Sequence, residues 1–230
     1  EVLDLRESLS IGFPAFVRQV SQSVIIILIN NVLSAYGDAS IAAFGIVHRV
    51  MIFTLLPLIG IGQGFQPIVG FNYGAGRFER VEEAVRVTRR VAFLIALVPF
   101  AGVMLFASSI ASVFTTDPEL IEIAGRAMRI ALLIIPLVAL QVVGAIFFQA
   151  IGKALPALFL SLSRQVLFLI PAVLILPRFA GRIGVWMAFP VADVLAVTVT
   201  MVWLTVEMRR LRKARPAADE ADEPESVAQA

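Results

Sequence analysis

Three long stretches of this sequence carry no charged residue, and they restrict the chain to folds that lie in a membrane. Residues 50–76, 91–116 and 130–152 contain no Asp, Glu, Lys or Arg. A helix needs about 20 apolar residues to cross the hydrocarbon core of a bilayer. Only 16% of the 230 residues are charged, whereas soluble domains have about 25%. The sequence therefore predicts an all-α integral membrane protein.

Apolar blocks separated by turn-forming and charged residues indicate six transmembrane helices. Their predicted bounds are 13–35, 41–70, 88–113, 130–151, 155–177 and 183–206. We expect a cytoplasmic amphipathic lead-in at 1–12, a six-helix transmembrane lobe at 13–207, and a disordered cytoplasmic tail at 208–230. The end of this tail is acidic and rich in small residues, a composition typical of disorder. Before the fourth span, Thr116 or Asp117 is the expected cap of a helix with Pro118 in its first turn.

The Lys and Arg residues are distributed unevenly between the two sides of the predicted membrane domain. Twelve of the 19 fall on the side of both termini, four on the other side and three within spans. Because Lys and Arg are enriched in cytoplasmic segments, we predict that both termini are cytoplasmic. The basic residues lie between apolar blocks, a pattern typical of membrane topology, whereas a nucleic-acid partner would need a clustered basic face. The absence of Cys and the single His48 exclude a metal site built from thiolates or two imidazoles of this chain.

Three ionisable residues lie deep within predicted spans. Asp193 and Arg49 lie about 13 and 12 Å from the outer ends of their spans, and Arg164 reaches a similar depth from the other side. Because charges at such depth usually face a partner or a cavity, we predict a buried ion pair between Asp193 and either Arg49 or Arg164. The pair could be structural, or Asp193 could bind a coupling ion or proton. The structural interpretation is favoured, since a permanently paired carboxylate is a poor proton carrier.

Amide side chains form a second polar group, in the first two spans. Gln19, Gln22 and Asn30 lie in span one, and Gln63 and Gln66 lie in span two. The i,i+3 spacing places Gln19 with Gln22, and Gln63 with Gln66, on shared helix faces. Two interpretations stay open: hydrogen bonds between helices, or a neutral polar lining that orients bulky substrates.

Span two is also rich in residues that weaken a helix. Pro57, Gly60, Gly64 and Pro67 are predicted to let it bend, because an interior proline removes a backbone hydrogen bond. In a membrane such irregularity is tolerated mainly against protein or a cavity. The Gly60-x-x-x-Gly64 and Gly70-x-x-x-Gly74 spacings also permit close approach of a second helix.

Five motifs occur in the order in which they are found in one family of transporters. They are SAYGDASIAAFGI at 34–46, QGFQPIVGFNYGAG at 63–76, FFQAIGKA at 147–154, SLSRQVLFLIP at 161–171 and GVWMAFPVAD at 184–193. With these motifs the chain resembles the C-terminal half of the MATE (multidrug and toxic compound extrusion) transporters.

The resemblance implies one six-helix lobe of a twelve-helix transporter whose substrate cavity lies between two lobes. In such proteins the first two helices of each lobe line the cavity, which would place Gln19, Gln22, Asn30, Gln63 and Gln66 in its wall. The implied activity is export of cationic or amphipathic compounds in exchange for Na⁺ or H⁺, by alternating access and with no other cofactor. The implied setting is the plasma membrane of a prokaryote, with the N-terminal lobe of the same transporter, the bilayer and amphipathic substrates as partners.

The site of energy coupling is expected outside this chain. The predicted spans one and four contain no acidic residue, although one branch of the family uses acidic residues in the equivalent spans. The coupling carboxylate is therefore expected in the missing lobe. Whether the chain is a fragment or a natural half-transporter is left open by the sequence.

Three other functions were weighed against the leading one. A lipid-linked oligosaccharide flippase of similar shape should carry more basic residues along its cavity than Arg18 and Arg49. An intramembrane enzyme would need catalytic groups at one depth, for which the chain offers at most His48, Arg49 and Asp193. A membrane scaffold without transport activity is favoured only by the absence of a second lobe.

Overall fold

The computed structural model of the protein describes residues 19–222, with side chains at 19–153 and 155–213, and these residues form helices joined by short turns. The helices are α1 (Gln19–Ser34), α2 (Asp38–Gly74), α3 (Phe78–Ser112), α4 (Pro118–Ala131), α5 (Ile135–Ala150), α6 (Ala154–Leu162), a π-helical segment (Ser163–Leu169) and α7 (Ile170–Asp222). No strand occurs within the described residues. The predicted all-α class is confirmed.

Helix α7 consists of two helices that run antiparallel from Gly181. This residue has φ 56° and ψ −140°, a conformation that glycine adopts readily because it lacks a Cβ. A straight helix would separate Arg164 and Asp193 by about 43 Å, yet these residues are in contact although 29 positions apart. The chain therefore folds back, and we name the two parts α7a (170–180) and α7b (182–222).

Six helical segments are available to cross a membrane. Three helices are long and apolar enough alone, namely Asp38–Gly74, Phe78–Ser112 and Leu155–Lys213, and the last supplies two spans because it folds back at Gly181. Helices α4 and α5 form a further candidate as a bent pair, and α1 is apolar but shorter in its described part. The predicted six-helix class is thereby confirmed.

The lobe has a tightly packed interior and an apolar outer surface. Alanines fill many of the helix contacts, and those at most 1% exposed include Ala43, Ala92, Ala107, Ala124, Ala139 and Ala188. Small side chains let helix backbones approach closely, as is usual in membrane bundles. Large apolar side chains point outward, with Val98 74% and Phe179 85% exposed. Such a surface is costly in water but suited to lipid.

Two helices extend beyond the predicted spans. Helix α3 begins at Phe78, ahead of the predicted start at 88, and α7b continues past the predicted end at 206 to Asp222. Residues 208–222 of the predicted disordered tail are therefore helical, while 223–230 and the lead-in at 1–12 lie outside the described residues. These extensions are rich in Glu, Arg and Ala, which favour helix, but their charged residues lower the hydropathy from which the span bounds are predicted.

The fourth predicted span is broken where the sequence predicts continuous helix. The axes of α4 and α5 differ by 52°, and Ile134 between them has non-helical angles of φ −116° and ψ 22°. Helix α4 begins as predicted, because the Asp117 side chain accepts a hydrogen bond from the Glu119 N–H at 3.0 Å and Pro118 follows the cap. The apolar block at 130–151 thus belongs mostly to α5, with α4 leading into it at an angle.

Candidate functional site

The amides of α1 and α2 lie on the outer face of the lobe and have unused hydrogen-bonding capacity. Gln19 and Gln63 are exposed, and Gln22, Asn30 and Gln66 are half-buried. None of these five side chains forms a hydrogen bond with another described residue. By contrast, the Gln141 side chain of α5 donates to the Leu160 carbonyl at 3.4 Å, as an interhelical amide does. The α1 and α2 amides are therefore available to a ligand or to another lobe.

The predicted bending residues of α2 share the exposed face with Gln63. Pro57, Gly60, Gly64 and Pro67 are all exposed, and their spacing of three or four residues keeps them on one side of the helix. The helix is nevertheless continuous from Asp38 to Gly74 across both prolines. Bending at these positions stays a prediction.

Close contact between α2 and α5 is made at Gly62 and Gly70, the latter from the Gly70-x-x-x-Gly74 spacing, and not at Gly60 and Gly64. A Cβ added to Gly70 would lie 3.2 Å from the Ala150 carbonyl oxygen, and one added to Gly62 would overlap the Ile146 side chain. At Gly60 and Gly64 no atom lies within 4 Å of an added Cβ. The close approach that the Gly60-x-x-x-Gly64 spacing permits is therefore not made to a described residue, because these two glycines face outward.

Asp193 on α7b pairs with Arg164, one of the two partners that its depth allowed. The Arg164 Nε donates to the Asp193 Oδ1 at 2.5 Å, and the side chains are 18% and 3% exposed respectively. Arg49, the other considered partner, is exposed on α2 and forms no ion pair with a described residue. The pair joins the fifth span to the sixth near the middle of both helices.

Arg164 lies in a helical segment with unusual geometry. Ser163–Leu169 forms a π-helix between α6 and α7, and such segments occur frequently at functional sites. The Oε1 atom of Gln165 is buried there and accepts no hydrogen bond from a residue that the structure describes. The sequence does not predict this segment, because its only signal is the polar run Ser163-Arg164-Gln165 inside an apolar block.

Two further ion pairs fasten the end of the lobe that carries most of the basic residues. The Lys153 Nζ lies 2.6 Å from the Glu207 Oε1, and the Glu207 side chain is only 8% exposed. The Arg212 Nε donates to the Glu82 Oε2 at 3.0 Å. Neither pair is predicted from the sequence, although Glu207 is a lone acidic residue at the end of the sixth apolar block. These contacts bring the basic segments assigned to the side of both termini to one end of the structure.

The residues considered for an intramembrane enzyme do not converge. The His48 ring packs 5.7 Å from that of Phe44, Arg49 is exposed, and Asp193 is engaged by Arg164. Within the described residues no group of three or more His, Cys, Asp or Glu side chains could hold a metal ion. The polar features of the lobe are thus an open amide face and paired charges between helices.

The family of the chain follows from comparison with known proteins. The MatE family model matches residues 14–174. The chain belongs to the MatE family. This MatE chain is 24% identical over 197 residues to the Multidrug export protein MepA of Staphylococcus haemolyticus (strain JCSC1435), with 86% of the chain and 43% of that protein covered. It is 26% identical over 200 residues to MepA of Staphylococcus aureus (strain bovine RF122 / ET3-1), with 86% and 44% covered.

Solved structures agree with the family assignment. The MatE chain is 44% identical to the MATE multidrug transporter DinF-BH in complex with R6G, with TM-score 0.76 over 87% of this chain and 45% of that one. A multidrug resistance MATE family transporter in the inward-facing conformation matches with TM-score 0.85 and 25% identity, over 91% of this chain and 49% of that one. The MatE chain thus spans less than half the length of these relatives.

Proposed function

We propose that this chain is the C-terminal lobe of a twelve-helix secondary transporter that exports cationic or amphipathic compounds. The observation that carries the proposal is the half-length match to relatives named as multidrug exporters and multidrug transporters. A second lobe packed on this one would leave a cavity between them. Rocking of two such halves around a central site is a common basis of alternating access.

The amide face of α1 and α2 is the proposed wall of that cavity. Gln22, Asn30, Gln63 and Gln66 offer donors and acceptors that the described lobe does not use. On α2 these amides lie among exposed apolar side chains such as Phe53, 67% exposed, and Phe71, 71% exposed. Neutral amides beside aromatic surface suit bulky amphipathic cations, because they orient a ligand without the tight hold of an ion pair.

The coupling ion, Na⁺ or H⁺, is proposed to bind mainly in the N-terminal lobe. Both buried carboxylates of the described residues already have a basic partner, Asp193 with Arg164 and Glu207 with Lys153. A carboxylate that must bind and release a cation in each cycle needs to be free of such a permanent partner. The basic end of the lobe is proposed to face the cytoplasm, in keeping with the distribution of Lys and Arg.

Dye export by cells tests the proposed activity. The complete reading frame that contains this chain is expressed in bacteria lacking their own multidrug exporters, and rhodamine 6G accumulation is followed by fluorescence. We expect lower accumulation than in cells with the empty vector, and restored accumulation when the driving gradient is removed. Collapsing the sodium and proton gradients separately identifies the coupling ion.

The control for this experiment is a cell expressing the protein with both gradients collapsed. Equal dye accumulation with and without the protein, at a verified membrane level of the protein, would contradict multidrug export. Export that persists with both gradients absent would contradict secondary transport.

A further inference from the structure

A cavity of about 650 Å³ lies between α3 and α7b at the basic end of the lobe. Five arginines line it, namely Arg86, Arg89 and Arg90 of α3 and Arg209 and Arg212 of α7b. Among the residues whose side chains the structure describes, Glu82 is the only acidic residue in its lining. The cavity therefore carries a strong positive charge and lies apart from the amide face of α1 and α2.

Most of this positive charge is not compensated by the described residues. Arg212 is paired with Glu82, whereas Arg86, Arg90 and Arg209 form no ion pair with a described residue. Within the described part of the chain, the Arg89 Nη2 reaches only the weak acceptor Met201 Sδ at 3.4 Å, and the Arg89 Nε is buried without a hydrogen-bond partner. Because an unsatisfied buried donor is costly, and more so in a charged group, Arg89 indicates an anionic ligand, and the exposed Arg86, Arg90 and Arg209 add positive charge around it.

The position of the cavity along α3 places it at the predicted boundary of the membrane. Arg90 is the last charged residue before the charge-free stretch 91–116, so the arginines lie at the level of lipid headgroups. The inner wall of the cavity is apolar and includes Phe93, Leu140 and Leu204. Deeper on the outer surface of α3, Leu94 is 61% exposed. A ligand with an anionic head and apolar chains matches a basic cavity that is followed by the apolar outer surface of α3.

We propose that the cavity between α3 and α7b binds the phosphate headgroup of an anionic phospholipid, with the acyl chains lying along α3. Basic pockets between membrane helices bind such headgroups, and cytoplasmic leaflets supply them. The exported cations would be repelled by the arginines, so this site is separate from the proposed substrate path. The bound lipid would join α3 to α7b at the end where Arg212 and Glu82 already connect them.

Lipid binding by the purified protein tests the proposal. Binding is measured by native mass spectrometry in a neutral detergent, with dioleoyl phosphatidylglycerol compared with dioleoyl phosphatidylcholine. The test variant is R86Q/R90Q, which removes two exposed arginines from the cavity. The matched control is R77Q/R80Q, which removes the same charge from exposed positions of the same end that do not line the cavity.

The structure predicts a preference for phosphatidylglycerol that R86Q/R90Q weakens by about 25-fold, since each arginine near an anionic headgroup contributes about fivefold. R77Q/R80Q should change the preference for phosphatidylglycerol by less than about twofold, because salt screens the effect of a distant charge. A single R209Q substitution on α7b should also weaken binding. Circular dichroism melting of each variant verifies the fold.

Three results would overturn the assignment. Equal losses in both double variants would indicate diffuse attraction to surface charge. Equal binding of the two lipids would show that the headgroup charge is not recognised. Displacement of phosphatidylglycerol by an equal concentration of inorganic phosphate would indicate a site for a free anion, without a contribution from the acyl chains.

Discussion

Replacing Asp193 with alanine is expected to destabilise the lobe by about 3–5 kcal/mol, the usual cost of removing one partner from a buried ion pair. The substitution leaves the guanidinium of Arg164, 18% exposed, without its carboxylate in a low-dielectric interior. The measurement is the yield and thermal melting of the protein in detergent, followed by size-exclusion chromatography. We expect little folded protein for D193A.

A matched control distinguishes the effect of losing a buried ion pair from the effect of losing an exposed one. Arg126 and Glu122 also form an ion pair, at 2.7 Å, but their side chains are 74% and 64% exposed. Exposed pairs contribute about 0–1 kcal/mol, so E122A should melt close to the unmodified protein. If D193A and E122A have the same small effect, the Arg164–Asp193 pair does not stabilise the fold.

A double replacement distinguishes a structural pair from a coupling site. R164M/D193L removes both charges and keeps apolar volume, a change that is often neutral or stabilising for buried pairs. We expect folded yield and dye export to recover together. Recovery of folding with complete loss of gradient-driven export would assign an ion-coupling role to Asp193 and contradict the structural interpretation.

Replacing Gly184 with alanine is expected to disrupt the hairpin between α7a and α7b. The added Cβ would lie 2.7 Å from the Pro177 nitrogen and 2.5 Å from the Leu176 carbonyl carbon, and still closer to the Leu176 oxygen. These are backbone atoms, which cannot move aside as the end of a side chain does. Overpacking typically costs about 1–3 kcal/mol and sometimes more, so we expect a loss of about 3 kcal/mol, measured by thermal melting.

Gly45 provides the control for this substitution. It lies within α2, and no atom is within 4 Å of an added Cβ. Since alanine is favoured over glycine in a helix by about 0.5–1 kcal/mol, G45A should leave stability unchanged or slightly raised. An equally stable G184A would show that the two parts of α7 are farther apart than described.

The sequence could predict the spans because the hydrophobic requirement of a membrane helix is local. Charge-free blocks identify α2, α3 and α5 directly. The similar depths of the ionisable residues limited the predicted partners of Asp193 to Arg49 and Arg164. Depth, however, gives only the position of a residue along the membrane normal. The choice between Arg49 and Arg164 depends on which helices are neighbours and on rotation about each axis, and both follow from packing of the whole lobe.

Features that depend on helix packing or on the surrounding water could not be predicted from the sequence for the same reason. Both glycine spacings of α2 permit close approach, and which of them is used, Gly70 against Ala150 and not the outward-facing Gly60, depends on which face of α2 meets α5. The extension of α7b to Asp222 reflects helix propensity in water, which hydropathy does not measure. The pair of Lys153 and Glu207 joins residues 54 positions apart, so no local sequence pattern predicts it.

The exposed face of α1 and α2 is central to the proposed transporter, and the solvent around Gln63 tests it most directly. The chain contains no cysteine, so Q63C introduces a thiol that is unique within it. V98C, at a position 74% exposed in the charge-free part of α3, is the lipid-facing control. Labelling with a water-soluble maleimide is measured in membranes containing the complete protein. We predict that Q63C is labelled, that rhodamine 6G slows this labelling, and that V98C is not labelled. Labelling of Q63C no faster than that of V98C, or unaffected by the dye, would contradict a substrate cavity at this face.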